Sequence, residues 1–222
     1  MSRLVVKLGG AVAETGAEPV LALIARGDQV CVVHGAGPQI SAEMARRGLE
    51  VSFVNGRRVT TAETLAVVRE SLAKVNGELV AAIGGAAIGL MGDEIGLEAE
   101  QVPELGLVGN PRPSAPPAVV SALEMDQIPV VAPLARGPLN VNADEAAAML
   151  AVGIGADRIL FLTDVPGLLL GGETVRSIRV EEAETLLSSG VLEGGILPKL
   201  SAAVHAAKNG VQAEIGETAV IV

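Results

Sequence analysis

Aromatic side chains are almost missing from this 222-residue chain, which has two Phe, no Tyr and no Trp. That scarcity argues against base-stacking platforms for nucleic acid and leaves the core to Ala, Val, Leu and Ile. Cationic charge is also short: 16 Lys and Arg face 26 Asp and Glu, and the net charge of −10 repels phosphate backbones and anionic membranes. No nucleic-acid or membrane partner is expected. The single Cys31 sits within the apolar run Val30–Val33, which removes any intramolecular disulfide framework and fits an inert thiol in a reducing cytoplasm. No apolar stretch approaches the ~18–20 residues of a membrane span, and Arg3-Leu4-Val5-Val6-Lys7 is too short for a signal sequence. The two histidines, His34 and His205, have no metal-ligand spacing, so no protein-held metal is expected.

What remains is half hydrophobic and 19% charged, the composition of a globule with a substantial core. The length suits one large domain or two packed halves. Short aliphatic runs alternate with longer stretches of helical period, the pattern of an α/β sheet. Strands are expected at Leu4–Leu8, Gln29–Val33, Ala86–Met91, Pro129–Ala132, Arg158–Leu162, Val211–Ile215 and Ala219–Val222. Helices are expected at Pro19–Arg26, Pro38–Arg47, Thr61–Ile83, Pro116–Asp126, Ala143–Gly155, Val180–Ser188 and Pro198–Asn209. Pro38 and Pro198 suit a first helical position, and Thr60 with Glu63 reads as a capping box. Gly92–Pro117, with turn signals at Gly92-Asp93 and Gly109-Asn110-Pro111, reads as a hairpin excursion. A soft boundary near Gly137 divides the chain into residues 1–136 and 137–222.

Only four lysines occur, at 7, 74, 199 and 208, and two are oddly placed. Lys7 ends an apolar strand before Gly9-Gly10, where absent side chains let a polyanion approach the backbone amides. Lys199 follows Gly194-Gly195-Ile196-Leu197-Pro198 at a helix start, where unpaired amides and the dipole favour an anion. Taken singly, each is equally readable as a solvated lysine. His34-Gly35-Ala36-Gly37-Pro38 joins a strand directly to a helix and presents glycine-flexed amides. It is a broken dinucleotide fingerprint, with Ile40 at the third glycine position and Asn55-Gly56-Arg57-Arg58 where an acidic ribose ligand belongs. His34 itself reads as a packed, hydrogen-bonded imidazole. Leu139-Asn140-Val141-Asn142-Ala143-Asp144 carries more polar groups than one helix cap requires, and Arg58 could hold a carboxylate through two parallel bonds.

Together V-V-K-L-G-G at 5–10, V-H-G-A-G-P at 33–38, N-G-R-R-V-T at 55–60, L-N-V-N-A-D at 139–144, L-T-D-V-P-G at 162–167 and G-I-L-P-K at 195–199 resemble the amino acid kinase family, in the family's order. The N-V-N-A-D and R-V-T segments are most similar to its acetylglutamate branch. The resemblance implies a three-layer αβα sandwich with a mainly parallel central sheet, the acceptor over residues 1–136 and ATP over residues 137–222. It implies transfer of the γ-phosphoryl group of MgATP to the side-chain carboxylate of N-acetyl-L-glutamate, a step of arginine biosynthesis. Lys7 and Lys199 would then be catalytic, with Asp144 holding both ammonium groups. Ala36, Gly37, Arg58, Asn140 and Asn142 would bind the acceptor, and Gly9, Gly10, Thr163, Asp164, Val165 and Gly167 the nucleotide. Mg²⁺ would arrive on the nucleotide.

The family usually has glycine where Ala36 stands, and a positive φ there would cost alanine about 1 kcal/mol. The chain opens directly on its first strand, which by the resemblance implies a homodimer without arginine feedback. Its last strand follows Gly216-Glu217-Thr218 at once, a shorter ending than in relatives. Two other readings stay open on the sequence: a kinase for a carrier-linked glutamate or aminoadipate, and a degenerate ligand-binding protein of the same fold.

Overall fold

The computed structural model describes residues 2–9, 16–163, 165–192 and 194–222. Gly10 and Asp164, both expected at the nucleotide, lie outside the described residues. In chain order the first elements are β1 (Arg3–Leu8), α1 (Ala17–Ala25), β2 (Gln29–His34), α2 (Gly37–Arg46), β3 (Phe53–Val54), β4 (Arg57–Arg58) and α3 (Ala62–Ile83). Next come β5 (Ala87–Met91), α4 (Gly92–Ile95), β6 (Ala99–Gln101), β7 (Val108–Pro111), α5 (Pro117–Glu124), β8 (Ile128–Ala132), β9 (Leu134–Ala135) and β10 (Leu139–Val141). The last are α6 (Ala143–Gly153), β11 (Arg158–Leu162), β12 (Leu169–Leu170), β13 (Glu173–Thr174), β14 (Ser177–Arg179), α7 (Val180–Ser189), α8 (Ile196–Lys208), β15 (Gln212–Ile215) and β16 (Thr218–Ile221).

Among the described residues, eight strands form one sheet in the order β14-β16-β15-β11-β1-β2-β8-β5. Pairing is parallel except between β15 and β16. The central strands are aliphatic throughout because both faces are covered. Alternation along each strand sorts the side chains. Val5, Cys31, Val33, Ile159 and Phe161 face a layer built on α5, α6, α7 and α8, whereas Leu4, Val6, Val30 and Val32 face α1, α2 and α3. This is the three-layer αβα sandwich expected from the sequence. Cys31 is fully buried, and desolvation pushes its thiol up to about 12, so it is inert at neutral pH.

Several local expectations are corrected. Thr61, not Thr60, caps α3: its hydroxyl accepts from Thr64 N at 3.2 Å while Thr64 Oγ1 accepts from Thr61 N at 2.8 Å. Thr60 is unavailable because its backbone bridges to Leu105 and Leu107 and its hydroxyl donates to Arg58 O. Pro38 and Pro198 stand one and two residues inside their helices, because α2 begins at Gly37 and α8 at Ile196. Gly92-Asp93 opens the short α4 instead of a turn. The excursion after it does contain the hairpin of β6 and β7, but these belong to a four-stranded sheet, β6-β7-β10-β9, which takes in residues 134–141 as well. That second sheet sets Asn140 and Asn142 beside the ends of the central strands.

Candidate functional site

Lys7 lies near the C-terminal end of β1, hydrogen-bonded laterally to β11 and β2 and so at the middle of the main sheet. Its side chain shares a face with Val5 and meets α6. There the Asn142 carboxamide caps the helix, accepting from Asp144 N at 2.9 Å and Glu145 N at 3.2 Å. With the cap supplied by Asn142, the Asp144 carboxylate is released for other contacts. Its Oδ1 sits 2.8 Å from Lys7 Nζ and 3.9 Å from Lys199 Nζ, and the side chains of the three are 8%, 5% and 16% exposed. Lys199 comes from the first turn of α8, where its Nζ also donates to Gly195 O at 3.3 Å. Burial lowers the Lys7 pKa from its ordinary value; Asp144 opposes that shift and Lys199 adds to it. Two ammonium groups thus share one buried carboxylate, and an anion placed between them relieves their repulsion.

A cavity of about 430 Å³ opens above this cluster and is lined by Lys7, Gly9, Ala36, Gly37, Arg58, Asn140, Asn142, Asp144, Thr163 and Lys199. Every described residue expected at the acceptor lines it. Arg58 is 6% exposed, and burial lowers its pKa from the ordinary value. The guanidinium donates to Ser41 Oγ at 2.8 Å and Gly37 O at 3.2 Å, contacts Met44 Sδ at 3.3 Å and lies 4.6 Å from the Phe53 ring centre. It has no carboxylate partner among the described residues, and a buried cation so placed favours an anionic ligand. Arg57 is different: it forms a two-pronged ion pair with Glu145 at 2.8–2.9 Å and bonds Asn110, tying the β3–β4 hairpin to α6 and β7. Asn140 donates to Thr60 Oγ1 at 3.0 Å while lining the cavity.

Ala36 has φ −144° and caps α2, so no positive φ is needed and alanine carries no backbone strain. Ala36 is buried and belongs to the same apolar cluster as Ile40 and Met44. Ser41, Met44, Phe53, Arg57 and Glu145 escaped the sequence reading. They touch the site through pairings that no local motif encodes, although the Asp144-Glu145 pair at a helix start was a usable signal.

A second cavity of about 280 Å³ is lined by Thr163, Val165, Gly167, Leu169, Gly195, Ile196 and Lys199. It shares Thr163, Gly195 and Lys199 with the first, so the two meet at Lys199. Gly167 packs against buried Thr218, whose hydroxyl accepts from Leu168 N at 2.9 Å and donates to Val175 O at 2.6 Å. A Cβ at Gly167 would collide with that hydroxyl. The Gly216–Thr218 turn therefore braces this loop. Among the described residues no group of three or more His, Cys, Asp or Glu side chains could hold a metal ion, and no helix is long and apolar enough to cross a membrane.

His34 is completely buried, and desolvation lowers its pKa from 6.5 to about 4. Between those values the unfolded chain binds a proton that the folded chain refuses, so stability falls as pH drops from 6.5 towards 4. The loss approaches about 3 kcal/mol at the acid end. Urea unfolding from pH 7 to 4 should show this slope flattened in His34→Gln; an unchanged slope would sink the assignment.

The amino acid kinase family profile matches residues 2–217. An acetylglutamate kinase from Rubrobacter xylanophilus is 43% identical over 97% of this chain and 88% of its own length. Among solved structures, a protein from Streptococcus mutans UA159 superposes with TM-score 0.90 at 26% identity, covering 99% of this chain and 98% of its own. A carbamate kinase from Giardia lamblia bound to AMP-PNP gives 0.76 at 15% identity, over 99% and 98%. With its sandwich, its paired cavities and its lysine–aspartate–lysine cluster, this chain belongs to the amino acid kinase family.

Proposed function

We propose that the chain transfers the γ-phosphoryl group of ATP to the side-chain carboxylate of N-acetyl-L-glutamate, forming an acyl phosphate in arginine biosynthesis. One observation carries the reading: besides Arg57, which Glu145 neutralises, three cations, Lys7, Lys199 and Arg58, line a 430 Å³ cavity against a single carboxylate, that of Asp144. The acceptor dianion suits this excess. Its α-carboxylate pairs with Arg58, and its reacting carboxylate lies by the Ala36 and Gly37 amides at the start of α2, where helix geometry leaves N–H groups without intrahelical partners. Asn140 and Asn142 reach this half of the site from beyond residue 137.

An ionised carboxylate needs no deprotonation, so catalysis consists of positioning and of positive charge at the equatorial oxygens. Lys7 faces the transferring group from β1 and Lys199 the leaving phosphate from α8, with Asp144 fixing both. The nucleotide occupies the second cavity, held by Thr163, Val165 and Gly167, with its phosphates towards Gly9 in the first; Gly10 and Asp164 complete the expected set and lie outside the described residues. Mg²⁺ would arrive on the nucleotide's phosphates and would supply further positive charge there, while Lys7 and Lys199 hold the phosphate oxygens. The protein acts as a homodimer, which light scattering tests directly.

A hydroxamate assay for acyl phosphate tests the acceptor. Free glutamate would bring an ammonium group into a cavity already rich in cations, so its kcat/KM should be at least about 100-fold below that of N-acetylglutamate. Aspartate and N-acetylaspartate, one methylene shorter, should react slowly. Equal rates on glutamate and N-acetylglutamate would refute the assignment.

A further inference from the structure

His34 lies on the opposite face of the sheet from Lys7, beneath the loop that begins the acceptor cavity, and nothing above gives it a part in the reaction. Its Nε2 is 3.1 Å from Asn76 Nδ2, and the same Asn76 nitrogen donates to Val130 O at 2.8 Å. An amide nitrogen only donates, so Nε2 accepts and the ring proton belongs on Nδ1, which faces Gly35 O at 3.4 Å. Gly35 N donates to Leu8 O at 2.8 Å. Residue 35 is therefore gripped at both ends, by the imidazole on one side and by the residue after Lys7 on the other. Asn76, on α3, is itself buried, and Gly89 of β5 makes its place: a Cβ there would collide with Asn76 Oδ1.

A continuous polar chain thus runs from Val130 through Asn76, His34 and Gly35 to Leu8, linking β8, α3, β2 and β1. Its output is the position of Gly35, Ala36 and Gly37 relative to Lys7, all of which line the 430 Å³ cavity. We propose that neutral His34, oriented by Asn76, is a positioning residue that sets the acceptor loop at its working distance from Lys7. The proposal rests on the acceptor assignment made above. A misplacement of about 1 Å at a reacting centre costs up to about 100-fold in rate, far more than a weakened core bond would cost through stability at room temperature.

Steady-state kinetics on His34→Leu, His34→Gln, Asn76→Leu and the double variant test this, with Tm recorded and rates taken per folded chain. His34→Leu should lower kcat about tenfold or more and leave KM for ATP within about twofold. His34→Gln, whose amide can accept from Asn76 and donate to Gly35, should recover most of the loss. Asn76→Leu should reproduce the defect, and the double variant should lose no more than the worse single one, because both act along one path. Should His34→Leu not fold, Gly89→Ala displaces the Asn76 amide from the far side and should give the same drop in kcat. Reduced Tm with unchanged kcat per folded chain, or additive losses in the double variant, would overturn the proposal. A wild-type enzyme inert towards N-acetylglutamate would overturn the acceptor assignment and this inference with it.

Discussion

Lys7→Ala is expected to lower kcat by about 100- to 1000-fold, or about 3–4 kcal/mol of transition-state stabilisation, the range seen when one preorganised donor is lost. Lys199→Ala should act in the same range with a smaller effect on the apo protein, because its ammonium stands 3.9 Å from Asp144 where that of Lys7 stands at 2.8 Å. The KM for acceptor should move little, since Arg58 and the Ala36–Gly37 amides remain. Lys7→Arg should not rescue: the slot is almost closed to solvent, and a planar guanidinium does not replace a compact ammonium. ADP release with trapping of acyl phosphate measures all three variants. Activity within tenfold of wild type in either alanine variant would remove the two-lysine mechanism.

The second large effect is on stability. Phe161 is fully buried on β11, directly opposite Lys7 in the strand register, and is the largest enclosed side chain of a core with almost no other aromatic. Phe161→Ala should cost about 3–5 kcal/mol through lost transfer energy and a residual void. That is a large share of the about 5–15 kcal/mol by which domains are stable. Aliphatic neighbours have few rotamers with which to fill a ring-sized gap, so little relaxation is expected. Urea unfolding should show the midpoint falling with the slope unchanged, and Phe161→Leu should restore more than half of the loss. A cost below about 1 kcal/mol would mean that the ring is not packed as described.

The central strands were legible because burial on both faces leaves them almost uninterrupted Val, Ile and Leu. The hairpin at 53–58 and the strands at 134–141 were not, since each is two or three residues long, too short for an alternating pattern to show, and β10 is also completed by β7, distant in sequence. Thr60 and Thr61 look alike to a capping rule; only the bridge to Leu105 and Leu107 decides between them. Among the site residues, the local surroundings of Lys7 and Lys199 hinted at anion binding, but their meeting on Asp144 depends on sheet order, which spacing does not encode. Arg58 lines the same cavity as the other residues expected at the acceptor. That Ser41 and the Gly37 carbonyl hold it, with no carboxylate partner among the described residues, belongs to tertiary packing alone.

The placement of Lys199 on α8 also bears on biogenesis. During synthesis β1 and α6 emerge first, so Lys7 and Asp144 can meet before the second ammonium, about 55 residues beyond Asp144, has left the ribosome. A nascent chain stalled before α8 would hold a neutralised pair, with little attraction for a triphosphate. Phosphoryl-transfer competence should switch on abruptly with the docking of one late helix, making turnover a reporter of completed folding.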